Sequence, residues 1–290
     1  WCSRGELHLF LRGPYPPGSH AAVLTSHRGL LVVLFVPQKD PYSTEYDKTK
    51  NLALYDPIAG QSRPLPELKS DRPFRIEGCA LLTLLIIGAD QDEAPRHNLH
   101  VFPSTGSSTS WSTPRECYGS LEVDTPVMSQ HNSAVVCQGI AHWLFENTSN
   151  FYVLSVCAKT TEMSLTRLPV TPDQTQPRLG VTNDGTPCLL RFDGKCTMSG
   201  DSNTGRWQRT KMVEVQCLFV GQTSAKLLVK DNQQDMYIVD LQTGAMEAIT
   251  NWFRGTVVAA LPFEIDWPTF FTRRLANARI KRTKPGGVLS

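Results

Sequence analysis

Residues 236–244 read Met236-Tyr-Ile-Val-Asp240-Leu241-Gln-Thr-Gly244. An apolar run of β-branched and aromatic residues meets an Asp, and a Gly follows four positions later. The Asp carboxylate can accept a backbone N–H two residues on, which fixes a tight turn. Gly supplies the positive φ that such a turn needs. The unit is therefore a strand, a turn and a returning strand. It recurs in Asn51-Leu-Ala-Leu-Tyr55-Asp56-Pro57-Ile-Ala-Gly60 and in Asp201-Ser-Asn-Thr-Gly205. Phe102-Pro-Ser-Thr-Gly106 keeps the last two positions, and Cys157-Ala-Lys-Thr-Thr161 is a weaker copy with Thr in the Gly place. Met163, Trp207 and Met246 stand two positions beyond three of these turns, where a returning strand would face the sheet.

The five turns are spaced 46, 55, 44 and 39 residues apart. Repeats of about 40–50 residues with four short strands each are the mark of β-propeller blades. At that spacing a chain of 290 residues holds about six. Each blade leaves both faces uncovered, and radial stacking covers them. Short apolar stretches at 30–36, 51–55, 81–87, 134–137, 140–145, 151–156, 213–220, 226–229, 236–241 and 256–261 are the predicted strands, each bounded by turn-forming residues. The expected fold is all-β, a propeller over residues 1–280, with a short helix near 270–280 and a basic flexible tail at 281–290. The turn residues assigned a structural role are Asp56, Gly60, Gly106, Asp201, Gly205, Asp240 and Gly244.

Composition narrows the function. Hydrophobic residues make up 40% of the chain, so a packed core is expected. A net charge of +2 gives no reason to expect nucleic acid or an anionic membrane as partner. The longest apolar run, Cys79 to Ile87, is far short of the roughly 20 residues of a membrane-spanning helix. The eight cysteines include no C-x-x-C pair and read as buried free thiols, which favours cytoplasm or nucleus. Asn147-Thr148-Ser149 is a lone glycosylation triplet.

No nucleotide-binding loop, metal-ligand pattern or nucleophile elbow is present, and no cofactor is expected. His97 and His100 would need Cys117 or Asp90 to complete a metal site, and their strand context argues against one. Asp90, Asp92 and Glu93 read as a solvated acidic loop, and His142 as an uncharged core histidine. The tryptophans at 111, 143, 207, 252 and 267 read as filling between blades. Arg273, Arg274, Arg279, Lys281, Arg282 and Lys284 form a basic ending.

The segment from Asn51 to Pro66 resembles the blade hallmark of plant F-box-associated propellers, in which an apolar strand runs into an N/D-P-x-T-G turn and then L-P. Gly139-Ile-Ala-His-Trp143-Leu144 resembles that family's G-x-x-Y-W-L strand. Phe151 to Val156 with Leu168-Pro169 resembles its strand and L-P unit, and Met236 to Gly244 its kelch-like last blade. The ending Leu261-Pro262-Phe263-Glu264 to Leu275 is similar to the closing segment, with Arg274 in place of Ser. The resemblance implies a protein-binding propeller without chemistry of its own, the part of a cullin-based ubiquitin ligase that captures its target. The Skp-type adaptor would bind only through an F-box, which this chain does not show. A propeller enzyme, hydrolase or oxidoreductase, and a scaffold with no ubiquitin link are the competing expectations.

Overall fold

In the computed structural model the described residues are 19–37, 47–81, 83–90, 96–103, 110–118, 126–128, 134–168, 177–182, 185–190, 192–193, 197–198, 215–220, 226–231 and 235–249. Among them the regular structure is entirely β, and no helix is long and apolar enough to cross a membrane. The chain is a β-propeller.

Blade I comprises β1 (Ser19–His27), β2 (Leu30–Pro37), β3 (Asp47–Asp56) and β4 (Gln61–Pro64), paired antiparallel in chain order. Blade II comprises β5 (Leu68–Leu81), β6 (Leu84–Asp90), β7 (His97–Phe102) and β8 (Arg115–Glu116). The start of β5 still pairs with β3, through Leu68 and Lys50, so one long strand edges blade I and then opens blade II. Blade III holds β9 (Val127–Met128), β10 (Val135–Cys137), β11 (Ile140–Glu146), β12 (Phe151–Cys157) and β13 (Met163–Arg167). Both β9 and β10 pair with β11, so they serve as one interrupted inner strand. Next come the hairpins β14 (Arg178–Val181) with β15 (Pro187–Leu190) and β16 (Phe192–Asp193) with β17 (Thr197–Met198). The last described sheet is β18 (Val215–Val220), β19 (Lys226–Asp231), β20 (Met236–Asp240) and β21 (Met246–Ala248). The opening strands of successive sheets touch, β1 with β5, β10 with β14 and β14 with β18, as strands around a common axis do.

Alternate residues of one strand serve two different cores, because side chains of a strand leave its two faces in turn. In β6, Leu84 and Ile86 pack with Val32, Leu52 and Phe74 between blades I and II. Leu85 and Ile87 pack with Trp143, Phe145 and Leu154 between blades II and III. Every residue of β6 is buried, which explains its unbroken apolar sequence. Val135 and Cys137 face Val181 of the next sheet, while Ala134 and Val136 face blade II.

The apolar run taken as one strand over 81–87 is instead a hairpin. Leu81 pairs with Leu84, so the chain reverses between them. Apolar side chains on both sides of the turn hid it. Asp56 Oδ1 accepts the N–H of Ile58 at 3.0 Å and of Ala59 at 2.9 Å. Asp240 Oδ1 accepts those of Gln242 and Thr243 at 3.0 and 2.9 Å. Gly60 and Gly244 stand at φ 63° and 68°. Gly106, Asp201, Gly205, the strand expected at 256–261 and the basic ending lie outside the described residues.

Candidate functional site

Strands of an antiparallel blade alternate in direction, so its two ends carry different connections. The tight turns, at 28–29, 57–60, 138–139, 158–162 and 241–245, gather at one end. The starts of β5, β7 and β9 lie at the other. At that end of blade II the inner strand β5 bulges. Ile76 pairs with Gly88 and Gly78 with Ile87, leaving Glu77 as the extra residue. β1 bulges in the same way at Leu24 and β18 at Leu218. A bulge bends and twists an inner strand and re-aims the side chain it carries. Blade II alone of these three places a charged residue there.

Arg75, Ala89 and His97 are cross-strand partners on the face toward blade III. The small Ala89 between them leaves room for a Glu77 carboxylate to reach over to the ring. Glu77 Oε2 lies 2.8 Å from His97 Nε2, and Oε1 accepts from Arg75 Nη2. His97 Nδ1 is bonded to the Tyr118 hydroxyl, which donates to the Pro126 carbonyl at 2.8 Å. The edge of Phe145 closes the site, its centroid 5.1 Å from His97 and 5.8 Å from Tyr118. His97 is fully buried, while the Glu77 side chain is 10% and the Arg75 side chain 45% exposed. The relay thus runs from a buried phenol to an exposed guanidinium.

The contacts admit two proton arrangements. With the Tyr118 O–H on the Pro126 carbonyl, Nδ1 donates to the phenol oxygen and a further proton lies between Glu77 Oε2 and Nε2. With the O–H on Nδ1, the neutral ring donates from Nε2 to the Glu77 carboxylate. Burial pushes the Glu77 carboxyl up, but hydrogen bonds and positive charge from His97 and Arg75 outweigh it, and the net is downward. Burial, with the negative charges of Glu77 and Glu116, pushes the Tyr118 phenol up, so it stays a donor.

Sequence reasoning considered His97 only with His100. The structure puts the two on opposite faces of β7: His97 meets blade III, and His100 stacks on Phe74 toward blade I at 5.4 Å. They share no ligand, and among the described residues no group of three or more metal-binding side chains occurs. Asp90 is buried at the end of β6 rather than solvated, while Asp92 and Glu93 lie outside the described residues. His142 is a core histidine, its Nδ1 2.8 Å from Ser155 Oγ, with burial pushing its pKa down. Trp143 fills the space between blades II and III, and Trp111 reaches from blade II to the Pro66 carbonyl at 2.9 Å. Cys79, Cys117, Cys137, Cys157 and Cys188 are free thiols. Arg75, Glu77 and Tyr118 were not anticipated. The signal was Arg75-Ile-Glu77, two charges at alternate positions in a strand leading into an apolar run.

No family model and no curated protein matches the chain. Among solved structures it is similar to a chain from an analysis of two prolyl endopeptidases, at 14% identity and TM-score 0.46, over 83% of this chain and 35% of that one. It is also similar to the periplasmic gluconolactonase of Pseudomonas aeruginosa, at 13% identity and TM-score 0.42, over 82% of this chain and 74% of that one. The chain spans about a third of the prolyl endopeptidase chain. Both neighbours are enzymes by name. The expectation of a ubiquitin-ligase receptor, with no chemistry of its own, is corrected on this finding.

Proposed function

We propose that the chain is the propeller of a hydrolase-type enzyme, with Glu77 as the proton-transfer group at the end of blade II where β5 and β7 begin. One observation carries this reading: a bulge frees the Glu77 carboxylate from the register of the inner strand, and a buried imidazole behind it bonds Oε2 at 2.8 Å. Such a pair can deliver a proton to a leaving group at the carboxylate edge and take one back from water. Arg75 is placed to meet negative charge that develops beside Glu77. His97 and Tyr118 are positioning residues, since neither reaches the surface through the described residues.

The test is an assay of the full chain against proline-containing peptide amides, lactones and simple esters. Turnover of one class is expected, falling about 100-fold or more in Glu77→Gln, with circular dichroism unchanged. No turnover of any class, or turnover undiminished in Glu77→Gln, would overturn the reading.

A further inference from the structure

We propose that Ser155 and His142 form a second reactive site, a nucleophile and its base, that takes an acyl group from small esters. The site lies on the face of blade III turned away from blade II, so it is separate from Glu77. Leu154 and Val156 of β12, with Ala141, Trp143 and Phe145 of β11, fill the core between blades II and III. The residues between them leave the opposite face, toward β14. There Val135, His142, Ser155 and Ser164 stand side by side across four strands. The row runs from buried to open. Val135 packs under Val181 of β14, His142 is 8% exposed, Ser155 is half-buried and Ser164 is exposed. His142 Nδ1 lies 2.8 Å from Ser155 Oγ, and among the described residues neither side chain has another hydrogen-bond partner. A pair sealed in the core would serve the fold alone; this one puts its hydroxyl on the solvent side of its imidazole.

A serine hydroxyl is a weak nucleophile until an adjacent base takes its proton. Burial pushes the His142 pKa down, so the ring is neutral at neutral pH and one of its nitrogens is bare. With the ring proton on Nε2, the Ser155 O–H donates to Nδ1. Oγ then attacks an ester carbonyl. The Oγ–C bond forms and the hydroxyl proton passes to Nδ1. That proton goes on to the leaving alkoxide as the ester C–O bond breaks. Water, losing a proton to the same nitrogen, removes the acyl group and restores the serine. Val153 and Cys157 flank Ser155 on this face, both half-buried, and offer apolar contact to a short acyl chain. Ser164 is the cross-strand neighbour of Ser155 but has no base, which makes it an internal reference.

The experiment treats the full chain with a fluorophosphonate, which traps an activated serine. The Oγ–P bond forms, the P–F bond breaks, fluoride leaves and the proton passes to His142. Peptide mass mapping over time gives the rate at each serine. Ser155 should be labelled about 100-fold faster than Ser164, the worth of a positioned base. Ser164 is the more exposed of the two, so exposure alone would reverse that order. His142→Gln should bring Ser155 down to the rate of Ser164. With p-nitrophenyl acetate the native chain should carry an acetyl group on Ser155 as p-nitrophenolate is released. No adduct at Ser155 would overturn the site. So would equal rates at the two serines, or a fast rate at Ser155 that survives in His142→Gln. Should His142→Gln not fold, the ratio of the two serines in the native chain decides. The readout is an adduct at a named serine, so its failure is distinguishable from failure of the Glu77 reading.

Discussion

Gly78 on the inner strand of blade II lies directly against the indole of Trp143 in blade III. A Cβ built on Gly78 would stand 2.6 Å from Nε1 and 2.9 Å from Cδ1. The indole is 1% exposed, and its N–H meets no acceptor among the described residues. The close approach therefore rests on shape. Gly78→Ala should destabilise the protein by about 1–3 kcal/mol, as overpacking does. Trp143→Phe, which removes the opposing atoms, should recover most of that loss in the double variant. Thermal unfolding of the four proteins checks it; strictly additive losses would show that the two residues do not oppose each other.

The repeated turns allow a comparison within one molecule. Gly60 and Gly244 stand at φ 63° and 68° with open space where a Cβ would go, and Thr161 occupies the matching position at φ 58°. Thr161 and Gly244 donate the same backbone bond, to Cys157 O at 2.7 Å and Asp240 O at 2.8 Å. The backbone forces the conformation, since the space is free. Gly60→Val and Gly244→Val should each cost about 1–2 kcal/mol. Gly60→Asn should cost far less, because Asn tolerates this region. Equal melting temperatures for the Val and Asn variants would contradict the assignment.

His100 is 2% exposed, and its Nδ1 has no partner among the described residues. Burial pushes its pKa down to about 4. The unfolded chain takes up a proton near the ordinary value of about 6.5, while the folded chain refuses it until about pH 4. The stability this neutral ring contributes is full above about pH 6.5 and is lost as pH falls toward about 4, at most about 3 kcal/mol. Denaturant unfolding at a series of pH values should show that slope in the native chain. It should be much reduced in His100→Phe; an unchanged slope would assign the acid sensitivity elsewhere.

Cys157 takes the place of the turn Asp. Hydrogen bonds from the Thr160 hydroxyl and from the backbone N–H groups of Thr160 and Lys159 pull its thiol pKa down. Burial pushes Cys117 up to about 12 and raises Cys79 and Cys137 as well. Of these four thiols, iodoacetamide should alkylate Cys157 first, because the thiolate is the nucleophile. Peptide mass mapping reads the order. Cys157→Asp should raise stability by about 0.5–1 kcal/mol, since a carboxylate is the stronger acceptor in this turn.

Local chemistry made much of this molecule legible from its residues. Strand, Asp turn, Gly and returning strand are fixed by neighbours in the chain, so Asp56 to Gly60 and Asp240 to Gly244 folded as their residues dictate. Their spacing gave the blade repeat. The reversal between Leu81 and Leu84 was invisible, because no Gly, Pro, Asn or Asp marks it. The site was invisible for a different reason. Glu77, His97, Tyr118 and Pro126 are spread over fifty positions of sequence, and nothing local marks them as partners. Only the pairing of β5, β6 and β7, the bulge that frees Glu77 from that register, and the stacking of blade III on blade II bring them together. Sequence alone determined the repeating unit, because a turn is closed by residues four apart. Tertiary structure decided which side chains hydrogen-bond to one another, because that depends on which faces of distant strands are pressed together away from water.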